Sequence, residues 1–325
     1  MNTRVTLFLP GLLAALSEQQ DLPALRLILS KASVCSNDLT STEACLKAFF
    51  NGLGDKPIPY AALGAYYYGE QGGKQWCFAS PVECCVDHQT AYLRGNAHLD
   101  LSGEEQESLL ADLNYLFNQD GMTLMAKSAH EWYCALTQPA DIMMHDLNAC
   151  LNKSLHDLLP TGPDQPYWRR LFSECEMLLN GTRVNQQRSQ ANKPRVSSLW
   201  FWGIGTLPEK VTTAFDCVIS AQPAILGLCK LAGVPCESAD SVDFEEKLKK
   251  YHHILWIDFD MNIKKQTENC FASVLSAFKA SQIQEMMMQS GKGKQWTLSR
   301  KNKWFFWRKI KSMSDILKDV KSYNG

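Results

Sequence analysis

The residues able to do chemistry are few and scattered through this 325-residue chain. His145 and Asp146 set an imidazole beside a carboxylate, the residue types of a metal ligand or an acid/base pair. As sequence neighbours they point in different directions on a strand or a turn, which favours a structural hydrogen-bonding role at a domain hinge. Asn185 and Arg188 would place an amide edge and a guanidinium beside a small anion in an interdomain cleft, because arginine is the favoured binder of phosphate and carboxylate. The same pair also reads as a helix cap and surface charge, and both readings stand. Gly203 and Gly205 follow the apolar run SLWFW as a candidate anion cradle, although a lone G-x-G is more often a tight turn. Asp258 and Asp260 close HHILWIDFD, whereas His252 and His253 open it and so stand at the opposite end of that strand.

A second kind of chemistry gathers near the C-terminus. The stretch SRKNKWFFWRKIK (299–311) interleaves Trp304, Phe305, Phe306 and Trp307 with Arg300, Lys301, Lys303, Arg308 and further lysines. Cations spaced among aromatics suit phosphate pairing and base stacking on a nucleic acid, or an anionic membrane surface. The plainer reading is a terminal strand and helix whose aromatics pack inward while the cations face water. Lysines plus arginines (33) nearly balance acids (34), yet residues 291–325 hold ten basic side chains against Asp315 and Asp319. That is a local charge of about +8 within a chain of net charge −1, so an acidic partner suits this end alone.

These groups must be positioned by elements whose patterns alternate between strand and helix. VTLFL (5–9) is a buried strand and LPALRLILSKA (22–32) an amphipathic helix. TEACLKAFFNGLG (42–54) reads as a helix closed by glycine, and DKPIPYAALGAYYYGE (55–70) as a proline-rich turn. From about residue 74 the texture is that of antiparallel strands, in WCFASPVECCVDHQTAYLRGN and again in TLMAKSAHEWYCAL (123–136). Between them LSGEEQESLLADLNYLF (101–117) is a helix with a Ser102–Glu105 capping box. PDQPYWRRLFSECEMLLNG (163–181) is helical, with Trp168, Leu171, Phe172, Cys175, Leu178 and Leu179 on one face. SLWFW (198–202), FDCVIS (215–220) and HHILWIDFD (252–260) return to continuous apolar strands, the last followed by a long helix over 262–289.

Apolar strands separated by helices imply a doubly wound, mostly parallel sheet covered on both faces. The expected organisation is α/β: a core domain of residues 1–72 plus 196–325 and an inserted α+β domain of residues 73–195. With 45% apolar residues the chain can bury a sizeable core, so its twelve cysteines are not needed as a disulfide framework. No C-x-x-C pair occurs, and reduced thiols in a cytoplasmic protein are expected. Arg4 before an apolar run leaves a signal peptide as the alternative for LFLPGLLAAL, but Pro10-Gly11 breaks the run and it is too short to span a bilayer.

Several stretches carry a resemblance. They are LFLPGL with LPALRLIL, AALGAYYYG, FASPVECCVDHQTAYLRGNAHLDLSGEEQESLLADLN, MHDLNA (144–149) and TRVNQQRSQANKPRVSSLWFWGIGTLP (182–208). In order and in these motifs the chain resembles the cofactor-independent phosphoglycerate mutases of the archaeal type, within the alkaline phosphatase superfamily. The resemblance implies the alkaline phosphatase-like fold and a site of two divalent ions, held by aspartates and histidines beside a serine or threonine nucleophile at the carboxyl ends of the strands.

The matching positions depart from that pattern. Pro10 stands where the first ligand aspartate is expected, and Ile58, Pro59 and Tyr60 where the nucleophile is expected. After HILWI no histidine occurs in Met261, Asn262, Ile263, Lys264 or Lys265, and between Asp260 and Asp315 there is neither Asp nor His. The chain is therefore similar to a metal-poor subgroup, the RpfE-type bacterial regulatory proteins. The expectation is a pseudoenzyme with no catalytic residue, metal or cofactor, acting on a protein or small anionic ligand. An active mutase or related phosphotransferase, and a nucleic-acid-associated factor acting through the tail, are the alternatives.

Overall fold

A computed structural model of the chain describes residues 3–12, 22–70, 72–87, 90–238, 243–259, 265–300, 309–312 and 315–316. Two compact units form, one from Met1–Lys56 with Pro208–Gly325 and the other from Pro57–Leu207. The expected boundaries near residues 72 and 196 lie instead after Lys56 and Leu207.

The first unit begins with strand β1 (Thr3–Phe8) and helix α1 (Pro23–Lys31). Helix α1 lacks a side-chain cap of its own, and the free N–H of Ala24 is taken by Glu268 Oε1 at 2.6 Å. Strand β2 (Ser33–Ser36) and helix α2 (Thr42–Phe49) follow. The helix expected over 42–54 stops at Phe49. Phe50 and Asn51 form the short strand β3, because Gly52 (φ +98°) turns the chain closely over the carbonyl of Lys210 and no residue with a side chain fits there.

The second unit opens with α3 (Tyr60–Tyr67), where a proline-rich turn was expected. Prolines end at Pro59, the helix N-cap, and Ala61, Ala62, Leu63, Gly64 and Ala65 are buried. Strands β4 (Gln75–Asp87) and β5 (Thr90–Gly95) pair antiparallel, then α4 (Gly103–Phe117) starts on its Ser102–Glu105 capping box. Strands β6 (Met122–Ala126) and β7 (Trp132–Leu136) form a hairpin. Helices α5 (Leu147–Cys150), α6 (Gln165–Gly181) and α7 (Arg183–Gln190) lead to β8 (Ser198–Thr206). The apolar stripe of α6 buries Trp168, Leu171, Phe172, Cys175 and Leu179 as its spacing demands.

Strand β8 corrects a further expectation. SLWFW does not enter the parallel sheet but runs antiparallel to β4, with Trp202 opposite Phe78 and Trp200 opposite Ser80. It reads as continuously apolar because both its faces are covered inside the second unit, where Leu199, Trp200 and Phe201 join the core.

The chain then completes the first unit with β9 (Thr212–Thr213), β10 (Cys217–Ile219), α8 (Pro223–Ala232), β11 (Cys236–Glu237), α9 (Phe244–Lys250), β12 (His253–Ile257), α10 (Lys265–Lys279), β13 (Ile283–Gln289) and β14 (Lys294–Ser299). Its sheet has the order β11-β10-β12-β1-β13-β14-β2. All pairs from β11 to β13 are parallel, and β14 and β2 add an antiparallel edge. This mixed α/β architecture, a large mostly parallel sheet plus a separate antiparallel one, matches the fold class read from the sequence.

The helix expected over 262–289 is two elements. It ends at Lys279, Ser281 takes a left-handed φ of +64°, and IQEMMMQ becomes β13 between β1 and β14. Methionine favours helices in isolation, but Ile283, Met286 and Met288 are buried here by pairing on both sides.

Candidate functional site

In a parallel sheet, loops converge where strands end, so the carboxyl ends of β1, β12 and β13 are the place to look for a site. Leu9 N–H donates to Gln289 O at 2.9 Å and Asp258 N–H to Phe8 O at 3.1 Å, which brings the three chain exits together. The exits are largely apolar. The Phe8 ring lies edge-on to Phe49 (5.5 Å between centroids) and Phe259 (6.2 Å), and Gly291 approaches it so closely that a Cβ would sit 3.3 Å from its edge. Pro10 leaves β1 there without a side-chain donor.

Beside this cap lies a neutral polar cluster that sequence reasoning missed. Gln289, buried on β13, accepts the Cys45 thiol at Oε1 (3.5 Å) and donates from Nε2 to Gln295 Oε1 (3.3 Å), which Asn37 Nδ2 also approaches at 3.3 Å. Burial pushes the Cys45 thiol up to about 11, so it stays protonated at neutral pH. Ser290 is 1% exposed, and its hydroxyl finds no hydrogen-bond partner among the described residues. IQEMMMQ does not alternate, so the glycine-rich turn SGKG that follows it was the available signal that a strand ends at these residues.

These donors do not fit a pair of divalent ions. Asp258 supplies a carboxylate, but Pro10, Phe259, Gln289 and Ser290 offer no further negative charge, and an amide already engaged by a thiol cannot stand in for one. Among the described residues no three His, Cys, Asp or Glu side chains are grouped to hold a metal. Asp260 lies outside the described residues. His252 and His253 sit at the amino end of β12, opposite to the strand exits, where both backbone N–H groups donate to Asp216 Oδ2 at 3.0 and 2.9 Å.

The second unit holds the other residues singled out above. His145 contributes its carbonyl, which accepts from Trp200 Nε1 at 2.9 Å, and Asp146 caps α5 by accepting from the N–H of Asn148 (2.8 Å) and Ala149 (3.3 Å). Asn185 is 2% exposed and clamps backbone. Its Nδ2 donates to Leu179 O (2.7 Å) and Val196 O (2.8 Å), and its Oδ1 accepts from Val196 N (2.9 Å). Arg188 is buried rather than a surface charge. Nη1 lies 2.9 Å from both Glu105 oxygens, Nε donates to Pro194 O at 2.6 Å, and Nη2 donates to Leu99 O. Partial burial works to raise the Glu105 carboxyl, but the Ser102 N–H and the guanidinium outweigh it and hold it below the usual range.

Gly203 and Gly205 lie within β8 and not in a loop after it, so no anion cradle forms at a strand end. Both serve close approach: a Cβ at Gly203 (φ +64°) would meet the Phe78 ring at 2.9 Å, and one at Gly205 would meet Pro59 Cβ at 2.6 Å. In the tail, exposed Arg300 donates to Ser281 O at 3.2 Å. Lys301, Lys303, Trp304, Trp307 and Arg308 lie outside the described residues. No helix among the described residues is long and apolar enough to cross a membrane.

No protein-family model matches the chain, and no curated protein does. Among solved structures the chain is similar to the cofactor-independent phosphoglycerate mutase from Thermoplasma acidophilum DSM 1728, with 14% identity, TM-score 0.46 and coverage of 92% of this chain and 90% of that one. It is also similar to the PH0037 protein from Pyrococcus horikoshii, with 11% identity, TM-score 0.49 and coverage of 92% and 87%. Both likenesses are distant ones of fold.

Proposed function

We propose that this chain is a non-catalytic binding or regulatory protein on a phosphoglycerate mutase-like fold, acting through a protein partner or a small anionic ligand. One observation carries the reading: the exits of β1, β12 and β13 are filled by Phe8, Phe259, Pro10 and the neutral Cys45–Gln289–Gln295 cluster. Two divalent cations bring four positive charges, and phosphoryl transfer needs them balanced by several carboxylates next to a nucleophilic hydroxyl. Asp258 alone does not meet that requirement, and neither Ile58, Pro59 nor Tyr60 supplies an aliphatic hydroxyl.

The test is a calorimetric titration of the purified full chain with manganese and zinc, together with assays of 2- and 3-phosphoglycerate interconversion and of phosphomonoester hydrolysis. The expected result is no stoichiometric binding of two ions and no turnover. Two bound ions, with turnover that disappears in Asp258→Asn, would establish the enzyme instead.

A further inference from the structure

The second unit contains a cavity of about 330 Å³ between α6 and the segment that enters β8. Glu176, Met177 and Asn180 line it from the helix, and Arg195, Val196 and Ser197 from the segment opposite. Its frame is preset. The buried amide of Asn185 holds both backbone groups of Val196 and the carbonyl of Leu179, so the two walls are tied together by hydrogen bonds of 2.7 to 2.9 Å.

Two opposite charges face this space without pairing. Glu176, exposed at the mouth, has no hydrogen-bond donor or cation against it among the described residues, and the partial burial of its carboxyl raises it above the usual range. Arg195 makes one long hydrogen bond, Nη1 to Asn180 Oδ1 at 3.4 Å, and no ion pair with Glu176. A guanidinium recognises a carboxylate through paired N–H donors, and an exposed carboxylate at the mouth of the same recess can receive an ammonium group through charge-assisted hydrogen bonds. A simple anion would be repelled by Glu176 and a simple cation by Arg195. A dipolar ligand satisfies both. The volume is at the small end for ligand sites, and Val196 with the thioether of Met177, 76% exposed at the rim, supplies an adaptable apolar wall.

We propose that this cavity binds a zwitterionic α-amino acid, its carboxylate received by Arg195 and Asn180 and its ammonium group by Glu176. The inference goes beyond the reading of the strand ends, since every residue it uses belongs to the other unit.

The test is a thermal-shift and calorimetric titration of the full chain with each of the common amino acids at neutral pH. For any that binds, the N-acetyl and carboxamide derivatives follow, each lacking one charge. Saturable binding of at least one amino acid is expected, weakened about tenfold or more in each capped derivative and in each of Glu176→Gln and Arg195→Gln. Both variants alter exposed side chains, and unchanged circular dichroism checks their fold; the capped ligands ask the same question of the unaltered protein. Absence of saturable binding at millimolar concentration, or binding that survives loss of either charge, overturns the proposal. Metal binding and turnover are read in separate assays, so failure here is distinguishable from failure of the proposed function.

Discussion

Arg188 and Glu105, 83 residues apart in sequence, form an ion pair in which one guanidinium nitrogen, Nη1, lies 2.9 Å from both carboxylate oxygens, and the arginine is only 1% exposed. Through this pair the first turn of α4 is bound to α7, and the remaining guanidinium nitrogens hold the carbonyls of Leu99 and Pro194. Removing the cation leaves a half-sheltered carboxylate and two carbonyls without donors. Arg188→Ala is therefore expected to lower unfolding stability by about 3–5 kcal/mol, read from urea denaturation. Arg188→Lys should recover only part, because a single ammonium group cannot hold Glu105 and also reach the carbonyls of Leu99 and Pro194. A loss below about 1 kcal/mol would show that water replaces the pair freely.

The same pair sets a pH dependence. The Glu105 carboxyl is held below its ordinary value, so the folded state binds fewer protons than the unfolded chain as pH falls through the carboxylate range. Its contribution is complete above the unfolded value of about 4.3 and is lost as pH drops toward the folded one. Stability of the wild type should thus fall more steeply below that pH than stability of Glu105→Gln. Parallel slopes for the two proteins over pH 3 to 6 would contradict this assignment.

Two glycines test close approach against open space. Gly205→Ala places a methyl 2.6 Å from Pro59 Cβ, and overpacking of this kind costs about 1–3 kcal/mol. Gly103, at the start of α4, has nothing within 4 Å of a built Cβ, and there alanine should be neutral or stabilising by up to about 1 kcal/mol. Paired denaturation curves give the answer, and equal effects at the two sites would refute the contact.

Thiol reactivity should divide by burial. Burial pushes Cys45 up to about 11 and Cys217 up to about 12; burial, together with Glu176 and other neighbouring negative charge, pushes Cys84 up to about 12. Cys35 is exposed on the edge strand β2. Brief alkylation of the native protein at neutral pH, followed by peptide mass spectrometry, should label Cys35 well before those three. Unfolding in urea should abolish the difference, and early labelling of Cys45 in the native state would place it at the surface.

Where an element announces its type through a local repeat, the chain's order alone was enough. The apolar runs of β1, β10 and β12, the Ser102–Glu105 box and the one-sided stripe of α6 are all readable from neighbours within one or two turns. So were the absences: a proline at residue 10 and an Ile58-Pro59-Tyr60 stretch rule out particular donors wherever the backbone goes.

Tertiary structure decided who meets whom. SLWFW had the composition of a parallel core strand and became the antiparallel neighbour of β4, and the methionines of β13 left a helical pattern because two strands were waiting for them. The thiol of Cys45 reaches Gln289 across 244 residues, and Arg188 gave its guanidinium to Glu105 instead of to a cleft. The physical reason is range. Periodicity is a property of a few consecutive residues, whereas a partner is chosen by many weak contacts summed over the whole packed molecule, and no single residue carries that sum.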